Sequence, residues 1–215
     1  MEQEPLWSIV LAAGAADRFG AQKQFARVAG HRLVDLAVVH ATEACEQVVL
    51  VLPPEVEWDG PPVDRVVPGG TDRAASVRAG LDAIVADAGI VVVHQAANPL
   101  AGPPIFTALI SAVRNGAPAA FPGLRPADLV RRASDGCAGE VIGRDELVLV
   151  QTPTAFRLEV LREAHALPVT AVEDTARVSA AGYAVAVVPG DPRNIHVAIP
   201  EDLEVVAALL QAGEQ

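Results

Sequence analysis

The strongest constraint in this chain is an alternation of short apolar runs with longer segments of helical periodicity. The runs are Trp7–Ala13, Gln47–Leu52, Ile90–His94, Ala117–Phe121, Leu147–Val150 and Ala184–Val188. Several lack polar alternation, as a strand covered on both faces should. Between them, Asp72–Asp87 places Val77, Leu81, Ile84 and Val85 on one helical face before Gly89. Ile105–Arg114 reads as a second helix, stopped by Asn115-Gly116. Pro200-Glu201-Asp202 opens a third, with a stripe of Leu203, Val206, Ala207 and Leu210; proline and acids suit a helix's first turn. The order of elements predicts an α/β fold, a mostly parallel twisted sheet flanked by crossover helices.

One stretch breaks the rhythm. From about Leu124 to Arg144 the chain reads LRPADLVRRASDGCAGEVIGR, too polar for a core strand and too rich in glycine for a helix. Its Asp-Gly pair is a hairpin signal, so we read 124–144 as a protruding β-arm, a candidate dimerisation element. Without repeats or a low-complexity linker, residues 1–215 are expected to form one domain.

Composition excludes several classes. Sixteen basic against 27 acidic side chains leave a formal net charge of −11, a poor basis for general nucleic-acid binding, which rests on neutralised phosphates. The chain is 51% hydrophobic and only 4% aromatic, so a sizeable core must come from Ala, Val, Leu and Ile. No apolar run reaches the roughly 20 residues that span a bilayer. WSIVLAAGAA follows Glu2 and Glu4 rather than a basic start, so it reads as a first strand and the protein as cytoplasmic. Cys45 and Cys137 have neither disulfide nor zinc spacing.

Two segments could carry chemistry. After the first strand, Leu11-Ala12-Ala13-Gly14 leads to Arg18, Gly20 and Lys23. Small residues there let backbone N–H groups approach a phosphate, which Arg18 and Lys23 could neutralise; the same residues also suit simple tight packing. Neither the dinucleotide fingerprint nor the P-loop is present. In the second, Pro68-Gly69-Gly70-Thr71-Asp72-Arg73 opens a helix that carries Ser76. Free donors at the positive end of a helix dipole suit an anion, and an ordinary capped turn would look the same.

Taken in order, LAAG…RFG…KQF, GGTDRAASVRAGL, LVQTPTAF, GYAVAVVPGDPRNI and IPEDL resemble the 2-C-methyl-D-erythritol 4-phosphate cytidylyltransferases over roughly Ile9 to Leu210. The resemblance implies a Rossmann-like nucleotidyltransferase fold, homodimeric through the arm. It implies CTP as substrate, Mg²⁺, and attack of a polyol or sugar phosphate on the α-phosphorus with release of pyrophosphate. It makes Arg18 and Lys23 the catalytic cations. Ala12, Ala13, Gly14, Gly69, Gly70, Arg73 and Ser76 become the nucleotide-binding set, and Arg144, Asp128 and His196 the substrate-binding positions.

The chain departs from the family pattern around the chemistry. The family's His-Asp-Ala-Ala-Arg-Pro reads His94-Gln95-Ala96-Ala97-Asn98-Pro99, so the metal-holding Asp is Gln95 and a phosphate-binding Arg is Asn98. A late Lys is His196, the acid after Gly-Gly is Thr71, and Asp-Thr in the arm is Asp128-Leu129. The first loop is one residue short, with Gln22 where Pro is expected before Lys23. The leading expectation is a CTP-dependent transferase with a changed acceptor, in which His196 would be protonated to replace the Lys. The alternatives are a homologue that binds nucleotide or assembles without turnover, or a re-tasked site using His94, His196 and Asp174.

Overall fold

The computed structural model describes residues 4–14, 19 and 22–213. Its strands are β1 (Leu6–Leu11), β2 (Arg27–Val28), β3 (His31–Arg32), β4 (Gln47–Leu52), β5 (Arg65–Pro68), β6 (Ile90–Gln95), β7 (Ala119–Leu124), β8 (Val130–Ser134), β9 (Cys137–Ile142), β10 (Leu149–Val150), β11 (Thr154–Arg157) and β12 (Val185–Pro189). Its helices are α1 (Leu33–Ala44), α2 (Arg73–Asp82), α3 (Pro103–Arg114), α4 (Leu158–Ala166), α5 (Asp174–Ala180) and α6 (Asp202–Gly213).

The main sheet runs β5-β4-β1-β6-β11-β7-β12, and β10 pairs with β7 beyond β11. All pairings are parallel except those made by β10 and β11. The unbroken apolar runs follow from this. On β6, Ile90 and Val92 face a layer built on α1 and α3, while Val91 and Val93 face one built on α2, α4 and α5. Chain order also fixes where a ligand can sit. After β1 the chain moves outward through β4 and β5, then α2 carries it back across β1 to β6. The crevice beyond the carboxyl ends of β1 and β6 is therefore the topological switch point.

Several boundaries differ from the sequence reading. β1 stops at Leu11 rather than Ala13, where the strand gives way to the loop. The helix expected to reach Asp87 ends at Asp82. There Ala83 and Ile84 bond back to Gly80 and Leu81, and the Arg162 guanidinium takes the carbonyls of Ile84 and Ala86. Ile84 is buried, but Val85 is 70% exposed and not part of the core stripe. The strand at Ala117–Phe121 runs instead from Ala119 to Leu124, Leu147–Val150 shortens to an exposed Leu149–Val150, and Thr154–Arg157 is an unforeseen strand at the centre of the sheet. The arm is an antiparallel hairpin of β8 and β9, closed by Asp135 and Gly136 with φ of +51° and +76°. Two consecutive positive φ values are what an Asp-Gly turn supplies. Its side chains are nearly all exposed.

Candidate functional site

A cavity of about 470 Å³ lies at the switch point, floored by Leu11–Gly14 at the end of β1 and Gln95–Ala97 at the end of β6 and walled by Gly70–Arg73, Ser76, Lys23 and His196. One close approach shapes it. A Cβ built on Gly69 would lie 2.2 Å from the Ala13 Cβ, so only glycine lets the α2 shoulder rest against the β1 loop. Gly69 itself is held by its N–H donating to Leu52 O at 2.7 Å.

Beyond Gly69, Asp72 caps α2 by accepting from Ala75 N at 2.7 Å. The Ser76 hydroxyl donates to Asp72 O at 3.0 Å and accepts from Gly70 N–H at 3.1 Å. Ser76 thus organises the loop and keeps one lone pair for another donor. Arg73, the first residue of α2, is paired with Asp174, the first residue of α5. Asp174 is 2% exposed and also lies 3.0 Å from His165 Nε2. It is a buried structural counter-ion, not the acid–base group considered for a re-tasked site.

Lys23 sits in a single 3-10 turn, Lys23–Phe25, and its Nζ donates to Val197 O at 2.9 Å beside His196 Nε2 at 3.4 Å. From His196 a chain of polar groups runs away from the cleft. Nδ1 lies 2.9 Å from Asn98 Oδ1, Asn98 Nδ2 donates to Asn194 Oδ1 at 3.3 Å, and Asn194 Nδ2 donates to Thr152 O at 2.7 Å. Gln95 Nε2 donates to Thr152 Oγ1 at 3.2 Å. These residues separate the first cavity from a second of about 450 Å³, which shares Arg73, Gln95 and His196 and extends to Gln151, Thr152 and Leu149.

Of the residues expected from sequence, Ala12, Ala13, Gly14, Lys23, Gly70, Arg73, Ser76 and His196 meet at this cleft. Gly69 lies behind its wall and Arg18 lies outside the described residues. Arg144 and Asp128 do not line the cleft of their own chain: both are exposed at the base of the arm, with Arg144 Nη1 donating to Ala127 O at 2.9 Å. His94 is not an acid–base candidate either. It is fully buried on the α3 side, edge-on to Phe106 with ring centroids 5.5 Å apart. Among the described residues neither ring nitrogen has a hydrogen-bond partner, and burial pushes its pKa down to about 3. Sequence reasoning missed Gln24, Thr152, Asn194 and the His165–Asp174–Arg73 link. Those partners are up to 101 residues apart, which no local spacing reveals.

Comparison with known proteins places this arrangement. The family model for 2-C-methyl-D-erythritol 4-phosphate cytidylyltransferase matches residues 6–212. The chain belongs to the 2-C-methyl-D-erythritol 4-phosphate cytidylyltransferase family. The enzyme of that name from Deinococcus radiodurans is 35% identical over 207 residues, covering 94% of this chain and 88% of its own. A bifunctional relative from Paracoccus denitrificans is also 35% identical, and the chain spans 53% of its length. The crystal structure of the cytidylyltransferase from Thermus thermophilus superposes with a TM-score of 0.84 at 30% identity, covering 96% of this chain and 99% of that one.

The magnesium ion implied by this family does not fit the described residues as a protein-held ion. Among those lining the first cavity, Asp72 is the carboxylate, and it spends an oxygen on capping α2. Gln95 offers one neutral carbonyl. Mg²⁺ is bound through carboxylates and substrate phosphates, and no group of three or more metal-capable His, Cys, Asp or Glu occurs among the described residues.

Proposed function

We propose that the protein transfers CMP from CTP to a polyol phosphate, with methylerythritol 4-phosphate, the acceptor in its relatives' names, as the first to test. The observation that carries this reading is the convergence of Lys23 Nζ and the amino end of α2 on one cleft at the switch point. An acceptor phosphate oxygen bonds to the α-phosphorus, the bond to the bridging oxygen breaks, and pyrophosphate leaves. Such chemistry is mostly positioning and charge stabilisation.

In this reading Lys23 faces the triphosphate together with Arg18, and the small residues Ala12–Gly14 allow close approach of base and phosphates. Gly70 borders the base, and the remaining Ser76 lone pair suits the exocyclic amine of cytosine, a donor. Arg73, fixed by Asp174, stands between the nucleotide cavity and the second cavity, where the acceptor would sit. That Arg144 and Asp128 line neither cavity of their own chain supports their acting on a second copy, in a homodimer of single-domain chains.

A second reading, nucleotide binding without turnover, is favoured by one feature. Gln95 and Asn98 place neutral amides, and His196 an imidazole, where the family pattern has charges. Pyrophosphate release from CTP with methylerythritol 4-phosphate and then a panel of polyol phosphates separates the two. CTP binding with release supports transfer, binding without release for any acceptor supports the second reading, and no CTP binding overturns both.

A further inference from the structure

We infer that His196 is a positioning residue: a neutral imidazole whose Nε2 lone pair holds the Lys23 ammonium in the cleft. Its functional weight rests on the proposed role of Lys23 at the triphosphate; its chemistry does not. The direction of the network follows from one atom. Thr152 O can only accept, so the Asn194 atom 2.7 Å away is Nδ2. Asn194 Oδ1 then accepts from Asn98 Nδ2 at 3.3 Å, which turns Asn98 Oδ1 toward His196. An amide oxygen is an acceptor, so His196 Nδ1, 2.9 Å away, carries the proton.

On the other side of the ring stands Lys23 Nζ, 3.4 Å from Nε2. An ammonium has donors and no acceptor, so Nε2 must present its lone pair. A protonated ring would set N–H against N–H and two positive charges side by side. Among the described residues Asp202 is a carboxylate that feels both Lys23 and His196; its Oδ2 accepts from Ala198 and Ile199 N–H at 2.7 and 3.0 Å. Those bonds, with Val197 N donating to Ala97 O at 2.7 Å, fix the segment that supplies both His196 and the Val197 carbonyl to Lys23. The residue expected to become a cation in place of a missing Lys instead orients the cation already present.

The test has two arms. In long-range ¹H–¹⁵N spectra of the labelled full chain at pH 7.5, with the His196 signals assigned by their loss in His196→Gln, the ring should appear as the neutral Nδ1–H tautomer. An Nε2–H tautomer or an imidazolium would overturn the inference. Calorimetric titration of CTP then compares wild type, His196→Gln and His196→Leu; the side chain is exposed, so both variants should fold. Leu should weaken CTP about tenfold, while Gln, which keeps an acceptor, should stay within about threefold. Equal affinities for all three would also overturn it. If wild type binds no CTP, the reading of the cleft fails while the tautomer still decides the role of His196.

Discussion

Lowering the pH from 7 to 5 should cost this fold about 2 kcal/mol through His94 alone. In the unfolded chain an imidazole titrates at about 6.5. In the folded protein His94 is fully enclosed, packed edge-on to Phe106, and its pKa is pushed to about 3, first by desolvation and then by the nearby His40. The folded state therefore binds fewer protons, the reverse of a histidine that gains a partner. Stability is intact above about pH 7 and falls as pH drops below the unfolded pKa, levelling off only near the folded one.

At pH 5 the unfolded imidazole is almost wholly protonated and the folded one neutral, a difference of about 2 kcal/mol that has nearly vanished by pH 7. Any folded pKa below about 4 gives nearly the same result. The assay is urea unfolding followed by the fluorescence of buried Trp7, at pH 7, 6 and 5, for wild type and His94→Leu. Other titrating groups, including the Asp59 and Asp202 carboxyls held low by their partners, occur in both proteins and cancel in the difference. Wild type should lose about 2 kcal/mol more than the variant over this range. Parallel pH dependences would refute the argument.

Gly69→Ala should destabilise by about 1–3 kcal/mol, because its Cβ would press on the Ala13 Cβ; thermal unfolding checks this, and CTP titration should show weaker binding as the α2 shoulder is displaced. Asp174→Asn leaves Arg73 without its buried counter-charge, and a loss of about 3 kcal/mol is expected in urea unfolding. An unchanged midpoint would mean that the pair is not holding α2 to α5. Lys23→Met should lower pyrophosphate release by about 10²–10³-fold, the usual effect of removing a stabilising group from a charged transition state, while lowering the unfolding free energy by no more than about 1–2 kcal/mol, for the lost bond to Val197 O.

The sheet was legible because its central strands are buried on both faces, so Gln47–Leu52 and Ile90–His94 read as apolar runs without polar alternation. Thr154–Arg157 escaped because a four-residue strand set just after Pro153 carries too little pattern to separate it from a loop. The extent of α2 was misjudged for a tertiary reason: Arg162, distant in sequence, donates to the carbonyls of Ile84 and Ala86 and to that of Leu81, which a longer helix would have bonded to Val85 N–H. Around the cleft, Lys23, Gly69, Gly70 and Ser76 were recognisable from small-residue and charge patterns. The polar network was not, because Asn98, Asn194 and Thr152 acquire meaning only when the segment after β6, the segment before β11 and the segment before α6 meet. The net charge of −11 is compatible with an anion site because Lys23 and Arg73 are gathered at one cleft, although Arg73 is shared with Asp174.

The central claim is that the switch-point cleft binds CTP and activates its α-phosphorus. Calorimetric titration of CTP into wild-type protein, followed by pyrophosphate release on adding methylerythritol 4-phosphate and Mg²⁺, tests it most directly. The account predicts saturable one-site binding that weakens in Lys23→Met, together with acceptor-dependent release. No CTP binding at millimolar concentration, or binding unaltered by Lys23→Met, would contradict it.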